Sequence, residues 1–147
     1  MATVRDILAR KGEGGHVCTI SPEATVLEAA HLMNDQRIGA LVVIADGQLA
    51  GMFTERDVLR RVVGEQRDPA QTRVGEVMTT EVFCCTLETT IAEVRGTMKN
   101  RRIRHLPLVD GDRRLQGLIS IGDLNAYETS DHEQTIYLLQ EYIGGRV

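Results

Sequence analysis

Apolar positions along this chain alternate between strand-like and helix-like patterns. Val17 to Ile20 reads as a short strand. From Thr25 to about Asn34, Val26, Ala29, Ala30 and Met33 recur at i, i+3, i+4 and i+7, which predicts a helix with one apolar face. Thr25 followed three residues later by Glu28 predicts a capping box at its start. Ile38 to Ala45 is almost unbroken apolar sequence, so a strand buried on both faces is expected. Asp46-Gly47 predicts a hairpin turn, and Leu49 to Phe53 the returning strand. A last helix is expected over Glu55 to Val63, with Val58, Leu59, Val62 and Val63 facing inward.

The same order then returns 65 residues later. Val17 matches Val82, Thr25 matches Thr90, Glu28 matches Glu93 and Met33 matches Met98. The register runs on through Arg37-Ile38 and Arg102-Ile103 to Leu41 and Leu106. One extra residue in the second hairpin, at Asp110-Gly111, moves the offset to 66 and pairs Gly51 with Gly117 and Asp57 with Asp123. The second helix carries its stripe as Ile91, Val94 and Met98. Upstream, Val4 to Leu8 resembles Val74 to Met78, and a Gly-rich linker follows the first of these.

Each repeat therefore reads β-α-β-β-α. The expected fold class is α+β, with two pseudo-twofold repeats packed through their sheets and helices. A unit of about 60 residues buries only about 60% of its unfolded surface. Two such units are expected to bury their faces against each other, leaving a cleft. The expected boundaries are 1–66 for the first repeat with the N-terminal segment, 67–130 for the second, and 131–147 for a C-terminal helix and tail.

Two heptads carry the most specific chemistry: Gly51-Met-Phe-Thr-Glu-Arg-Asp57 and Gly117-Leu-Ile-Ser-Ile-Gly-Asp123. In each, a hydroxyl residue falls where a strand ends and a helix begins, and an aspartate lies on the first helical turn. One reading is purely structural, because Thr54 and Ser120 suit N-caps and an acid three residues later completes the box. The other is functional: the carboxylate accepts both hydroxyls of a ribose, as the acidic residue of dinucleotide folds does. The helix N-terminus then faces a phosphate. Recurrence in both repeats favours the functional reading.

These heptads, with Ile38-Gly-Ala-Leu-Val-Val43, Ile103-Arg-His-Leu-Pro-Leu108 and the opening Ser21 to Met33, resemble a tandem pair of CBS domains over roughly residues 3 to 130. The resemblance implies a disc-like regulatory pair for adenosine-containing ligands such as AMP, ADP, ATP, NAD or S-adenosylmethionine. It implies that Asp57 and Asp123 hold ribose, and that Thr54 and Ser120 approach sugar or phosphate. Main chain around Thr19-Ile20 and Cys84-Cys85, with Ile38 and Ile103, is implied to frame the adenine. Arg102, Arg104 and His105, at the start of the second central strand, are expected to bind phosphate. Arg37, the first repeat's counterpart of Arg102, is expected among the ligand-binding residues as well. His105 also has a plain reading, as a packed and hydrogen-bonded strand residue.

Composition narrows the partners. The 147 residues carry a net charge of −4, which argues against general nucleic-acid binding. Aromatics make up 3% and Trp is absent, so a bound ring is expected to lie between aliphatic side chains. Cys18, Cys84 and Cys85 fit no disulfide framework and read as small buried thiols. Metal binding by His16, Cys18, Cys84 and His105 matches no usual ligand spacing. No nucleophile elbow, P-loop or complete GxGxxG occurs, so no enzyme and no obligatory cofactor are expected. No apolar stretch is long enough for a membrane span, and Met1 to Asp6 is charged where a signal peptide is apolar, so a cytoplasmic protein is expected. Ile136, Leu139 and Ile143, with Tyr142 alongside, form a C-terminal stripe expected to support a homodimer. A regulated partner protein is the further expectation. The alternative function is a constitutive dimeric scaffold with no ligand.

Overall fold

The computed structural model describes residues 1–11 and 17–131. It has the expected α+β character with two repeats of helix and strands. Helix α1 (Val4–Lys11) precedes the first repeat, which runs β1 (Thr19–Ile20), α2 (Val26–Gln36), β2 (Ala40–Ala45), β3 (Gln48–Thr54) and α3 (Glu55–Asp57). Helix α4 (Val74–Val77) precedes the second, which runs α5 (Ile91–Arg101), β4 (His105–Val109), β5 (Leu115–Ser120) and α6 (Ile121–Asp131). β1 pairs parallel with β2, and β2 antiparallel with β3. β4 and β5 form a separate antiparallel pair.

The caps fall where the sequence puts them. Thr25 accepts a hydrogen bond from the Glu28 N–H at 3.1 Å. Thr90 and Glu93 close a full capping box on α5. Both α2 and α5 end on an arginine in the left-handed region, Arg37 and Arg102, each at φ 55°. The first hairpin turns on Asp46 and Gly47, with φ of 53° and 78°, which suits a tight primed turn. The second is wider, with Arg113 at φ 61° and the Asp110 carboxylate accepting from the Asp112 and Arg114 N–H groups at 2.8 and 3.0 Å.

Two elements differ from expectation. The segment before α5 makes a single parallel bridge, Cys85 to Leu108, where the first repeat has strand β1. Pro107 is the reason. At the matching position of the first repeat, the Val42 N–H donates to Cys18 O at 3.2 Å. Proline has no N–H to donate, so Phe83 is not held in the ladder. The helix over Glu55 to Val63 is also not a plain α-helix: after Asp57 it widens into a π-helix over Val58–Val63. Its i→i+5 winding turns Leu59 and Val63 away from Val62. Val62 is buried, while Leu59 and Val63 are 64% and 63% exposed rather than inward-facing.

The cores cross the order of the chain. Val74 and Val77 of α4 pack into the core of the first repeat, with Val26, Leu41, Phe53 and Val62. Val4 and Ile7 of α1 pack into the core of the second, with Val94, Leu106, Ile119 and Leu124. Grouping the N-terminal segment with the first repeat therefore follows chain order and not packing. A third cluster, with Val42, Leu49 and Met52 from one sheet and Val109 from the other, joins the halves. Cys85 lies in the second core and Cys84 in the joining cluster, on opposite sides of the chain. Burial pushes the Cys85 thiol up to about 12 and raises that of Cys84, so both stay protonated. No helix among the described residues is long and apolar enough to cross a membrane. The C-terminal stripe at Ile136, Leu139 and Ile143 lies outside the described residues.

Candidate functional site

The strand ends set the geometry of the cleft. β3 delivers Thr54 to the start of α3, and β5 delivers Ser120 to the start of α6. In register, Ala40 pairs with Thr54 and His105 with Ser120. The carbonyl just ahead of each central strand caps the neighbouring helix. Glu55 N–H donates to Gly39 O at 3.0 Å, and Ile121 N–H donates to Arg104 O at 2.9 Å. Arg104 is thereby fixed beside the N-terminus of α6.

A cavity of about 680 Å³ lies between the repeats. That volume is in the range of small-molecule sites, roughly 300–1,000 Å³. The first repeat contributes Thr54, Asp57, Arg60 and Arg61, and the second contributes Arg102, Ile103, Arg104, His105 and Ser120. Thr79 and Phe83 line it from the segment between. Five arginines and three carboxylates face it, the remaining charges being Arg56, Glu55 and Glu81.

Asp57 is 4% exposed and richly bonded. Its Oδ2 accepts the Thr54 N–H at 3.0 Å and the Thr54 hydroxyl at 3.3 Å. Its Oδ1 accepts the Thr79 hydroxyl at 3.0 Å, with Arg61 Nε at 3.8 Å. Thr79 reaches it because Met52 and Thr79 exchange backbone hydrogen bonds at 2.9 and 2.8 Å. The glycine of the first heptad makes that approach feasible, since a Cβ on Gly51 would lie 2.6 Å from Thr79 O. A Cβ on Gly117 would meet only ordinary contact, 3.6 Å from Leu108.

Asp123 has the same box with different company. Its Oδ2 accepts the Ser120 N–H at 2.9 Å, and its own N–H donates to Ser120 Oγ at 3.0 Å. Lys11 Nζ, from the end of α1, donates to that Oδ2 at 3.0 Å and to Leu118 O at 3.1 Å. Asp123 does not line the cavity.

His105 lies on the cavity wall. Burial first, then Arg104, lowers its pKa below the usual histidine value, against the opposing pull of Asp123 and Glu55. The ring is therefore neutral at pH 7.

The cavity thus brings together Thr54, Asp57, Ser120, Ile103, Arg102, Arg104 and His105 from the residues singled out in the sequence. It does not gather the others. Thr19 and Arg37 are exposed, Ile20 and Ile38 pack against the first core, and Cys84 and Cys85 pack inside. Sequence reading missed Arg60, Arg61, Thr79 and Phe83. Arg61 carries a signal that could have been read, four residues after Asp57 on one helix. Thr79 and Phe83 carry none, because each arrives through a long-range contact. Phe83 also corrects the expectation of purely aliphatic walls: its ring lines the cavity, and Arg101 stacks over it at 4.5 Å from the centroid. Among the described residues no His, Cys, Asp and Glu cluster suits a metal ion.

Comparison with known proteins agrees with this architecture. The CBS domain family model matches residues 4–64 and 74–129. The CBS domain-containing protein YhcV of Bacillus subtilis is 36% identical over 89% of this chain and 89% of its own length. A solved protein with CBS domains from Burkholderia ambifaria is 40% identical, covers 88% of this chain and 96% of its own, and superposes with a TM-score of 0.82. A CBS domain pair solved with 5′-methylthioadenosine and S-adenosyl-L-methionine shares the fold at 22% identity, 89% and 98% coverage and a TM-score of 0.75. With two matching copies, a shared cleft and these relatives, the chain belongs to the CBS domain family as a regulatory CBS pair.

Proposed function

We propose that this protein binds an adenosine phosphate in the cavity between its repeats and signals occupancy by a change of shape. In this reading Asp57 and Thr54 take the ribose, and Arg102, Arg104 and His105 take the phosphates. The base lies against Ile103 and the face of Phe83. The module works as a homodimer on a separate regulated protein and performs no catalysis.

One observation carries the reading: the capped carboxylate of the first repeat and the arginines of the second share one cavity. No carboxylate among the described residues pairs with Arg102 or Arg104. Five guanidinium groups against three carboxylates favour an anionic ligand over a sulfonium or an uncharged nucleoside. A ligand clamped by both halves would shift their relative position, which is the physical basis of the signal.

The scaffold reading has one observation on its side, since both Asp57 oxygens already have donors. A ribose has to exchange its hydroxyls for that of Thr79. Replacing Arg102 and Arg104 together with Gln, then titrating adenosine, AMP and ATP by calorimetry, tests the proposal. Hydrogen bonds to charged groups contribute roughly 1.5–3 kcal/mol each. The expected result is a loss of tenfold or more for AMP and ATP with adenosine affinity kept. Equal losses for all three, or no binding by the unmodified protein, overturn it.

A further inference from the structure

The two aspartate boxes have closely similar backbone geometry and opposite third partners. At Asp57 the extra hydrogen-bond donor is the neutral hydroxyl of Thr79, 3.0 Å from Oδ1, with the Arg61 guanidinium farther off at 3.8 Å. At Asp123 it is the ammonium of Lys11, 3.0 Å from Oδ2 and largely shielded from water, with side chains 27% and 20% exposed. We infer that Lys11 is an internal latch that holds the Asp123 position closed to ribose, so that one chain takes one nucleotide, on the Asp57 side. This inference rests on the nucleotide reading above.

Exchange chemistry separates the two boxes. A ribose hydroxyl replacing Thr79 at Asp57 swaps one neutral donor for another, at little electrostatic cost. A ribose hydroxyl replacing Lys11 at Asp123 breaks a charge-assisted bond, about twice as strong as a neutral one. It also leaves the ammonium with only the Leu118 carbonyl in partly buried surroundings, where a charge without its counter-charge is costly.

Lys11 is held in place by its helix. Val4 and Ile7 of α1 are fully buried in the second core beside Leu124, the residue after Asp123. Val4 N–H donates to Thr89 O at 2.9 Å, and Ile91 N–H donates to Ala2 O at 3.0 Å. The second bond of Lys11, to Leu118 O at 3.1 Å, fixes the ammonium against β5. The latch is therefore delivered by a docked element. The matching position after α4 is Glu81, which lines the cavity and repels phosphate instead of bonding the aspartate.

The chain has only two lysines, Lys11 and Lys99, so Lys11 can be addressed singly. The test is the stoichiometry of AMP and ATP by calorimetry on the wild type, Lys11→Met, Asp57→Asn and the double variant. The wild type is expected to bind one nucleotide per chain and Lys11→Met two. Asp57→Asn alone is expected to bind none, and the double variant one. A Lys11→Met protein that still binds one, or a wild type that binds two, overturns the latch and leaves the nucleotide reading standing. A wild type that binds none overturns that reading, and the latch with it. A second measurement avoids substitution. Reductive methylation with carbon-13 formaldehyde labels both lysines and keeps their charge. The Lys11 signal is expected to stay unmoved at saturating AMP, and a shift of that signal overturns the latch.

Discussion

The two repeats were written with nearly the same instructions, and they differ most where they meet the cleft. In the first, Val42 donates to Cys18 and holds a third strand in place. In the second, proline stands at that position, the ladder stops at one bridge, and Phe83 lines the cavity. The first repeat carries Gly39-Ala40 where the second carries Arg104-His105. The first repeat's aspartate meets a hydroxyl, and the second's an ammonium. Similar folds thus carry unequal chemistry at the cleft: the first half lines it with Asp57 and three arginines, and the second with two arginines, His105 and an aromatic face. On the proposed nucleotide reading, such a pair has one composite site rather than two copies of one site.

The largest difference is expected at the heptad glycines. Gly51→Ala forces a Cβ to 2.6 Å from Thr79 O, so the linker must move and Asp57 loses its hydroxyl partner. Overpacking of this kind costs about 1–3 kcal/mol. Gly117→Ala has room and removes an entropic liability in a strand, so it is expected to be neutral or slightly stabilising. Denaturant unfolding of both variants checks this, and equal losses would mean that the glycines play the same role in each repeat.

A pH contrast comes next. His105 has a lowered pKa, so the folded state holds its proton less tightly than the unfolded chain. Its contribution to stability is present above the ordinary histidine value, near 6.5, and is lost as pH falls through that value toward the folded one. Phosphate beside the ring favours the charged form. Affinity for AMP is therefore expected to rise as pH drops from 8 to 6, while the free protein becomes less stable. His105→Ala, which copies Ala40 of the first repeat, is expected to flatten both profiles. Calorimetric titrations and thermal melts across that range read the two together.

The smallest effect lies at the helix ends. Arg37 and Arg102 both sit at φ 55°, where a non-glycine residue costs roughly 1 kcal/mol. Arg37→Gly is expected to stabilise the fold by up to about 1 kcal/mol. Arg102→Gly is expected to give a similar gain in melting temperature and a loss of AMP affinity. An affinity loss from both would place Arg37 at a ligand as well.

Most of the fold was readable because it is repetitive. The Thr-x-x-Glu boxes, the Asp46-Gly47 turn and the unbroken strand at Ala40–Ala45 are local signals, and each marks an element that formed. The π-helix was not readable, because Val58 to Val63 fits an α-helical stripe equally well. Asp57, Arg102, Arg104 and His105 were visible as departures from symmetry or as motif positions. Thr79 and Lys11 were not, because their meaning comes from contacts 22 and 112 residues away in sequence.

The crossed docking of α1 and α4 reaches beyond the cleft to the way the chain becomes a folded object. Each half is finished by a helix that chain order assigns to the other: Val4 and Ile7 close one interior, Val74 and Val77 the other. Neither half can be cut out as a self-sufficient piece without opening a hole where those side chains stood. Unfolding should therefore run as one cooperative event, with no stable half-molecule along the way.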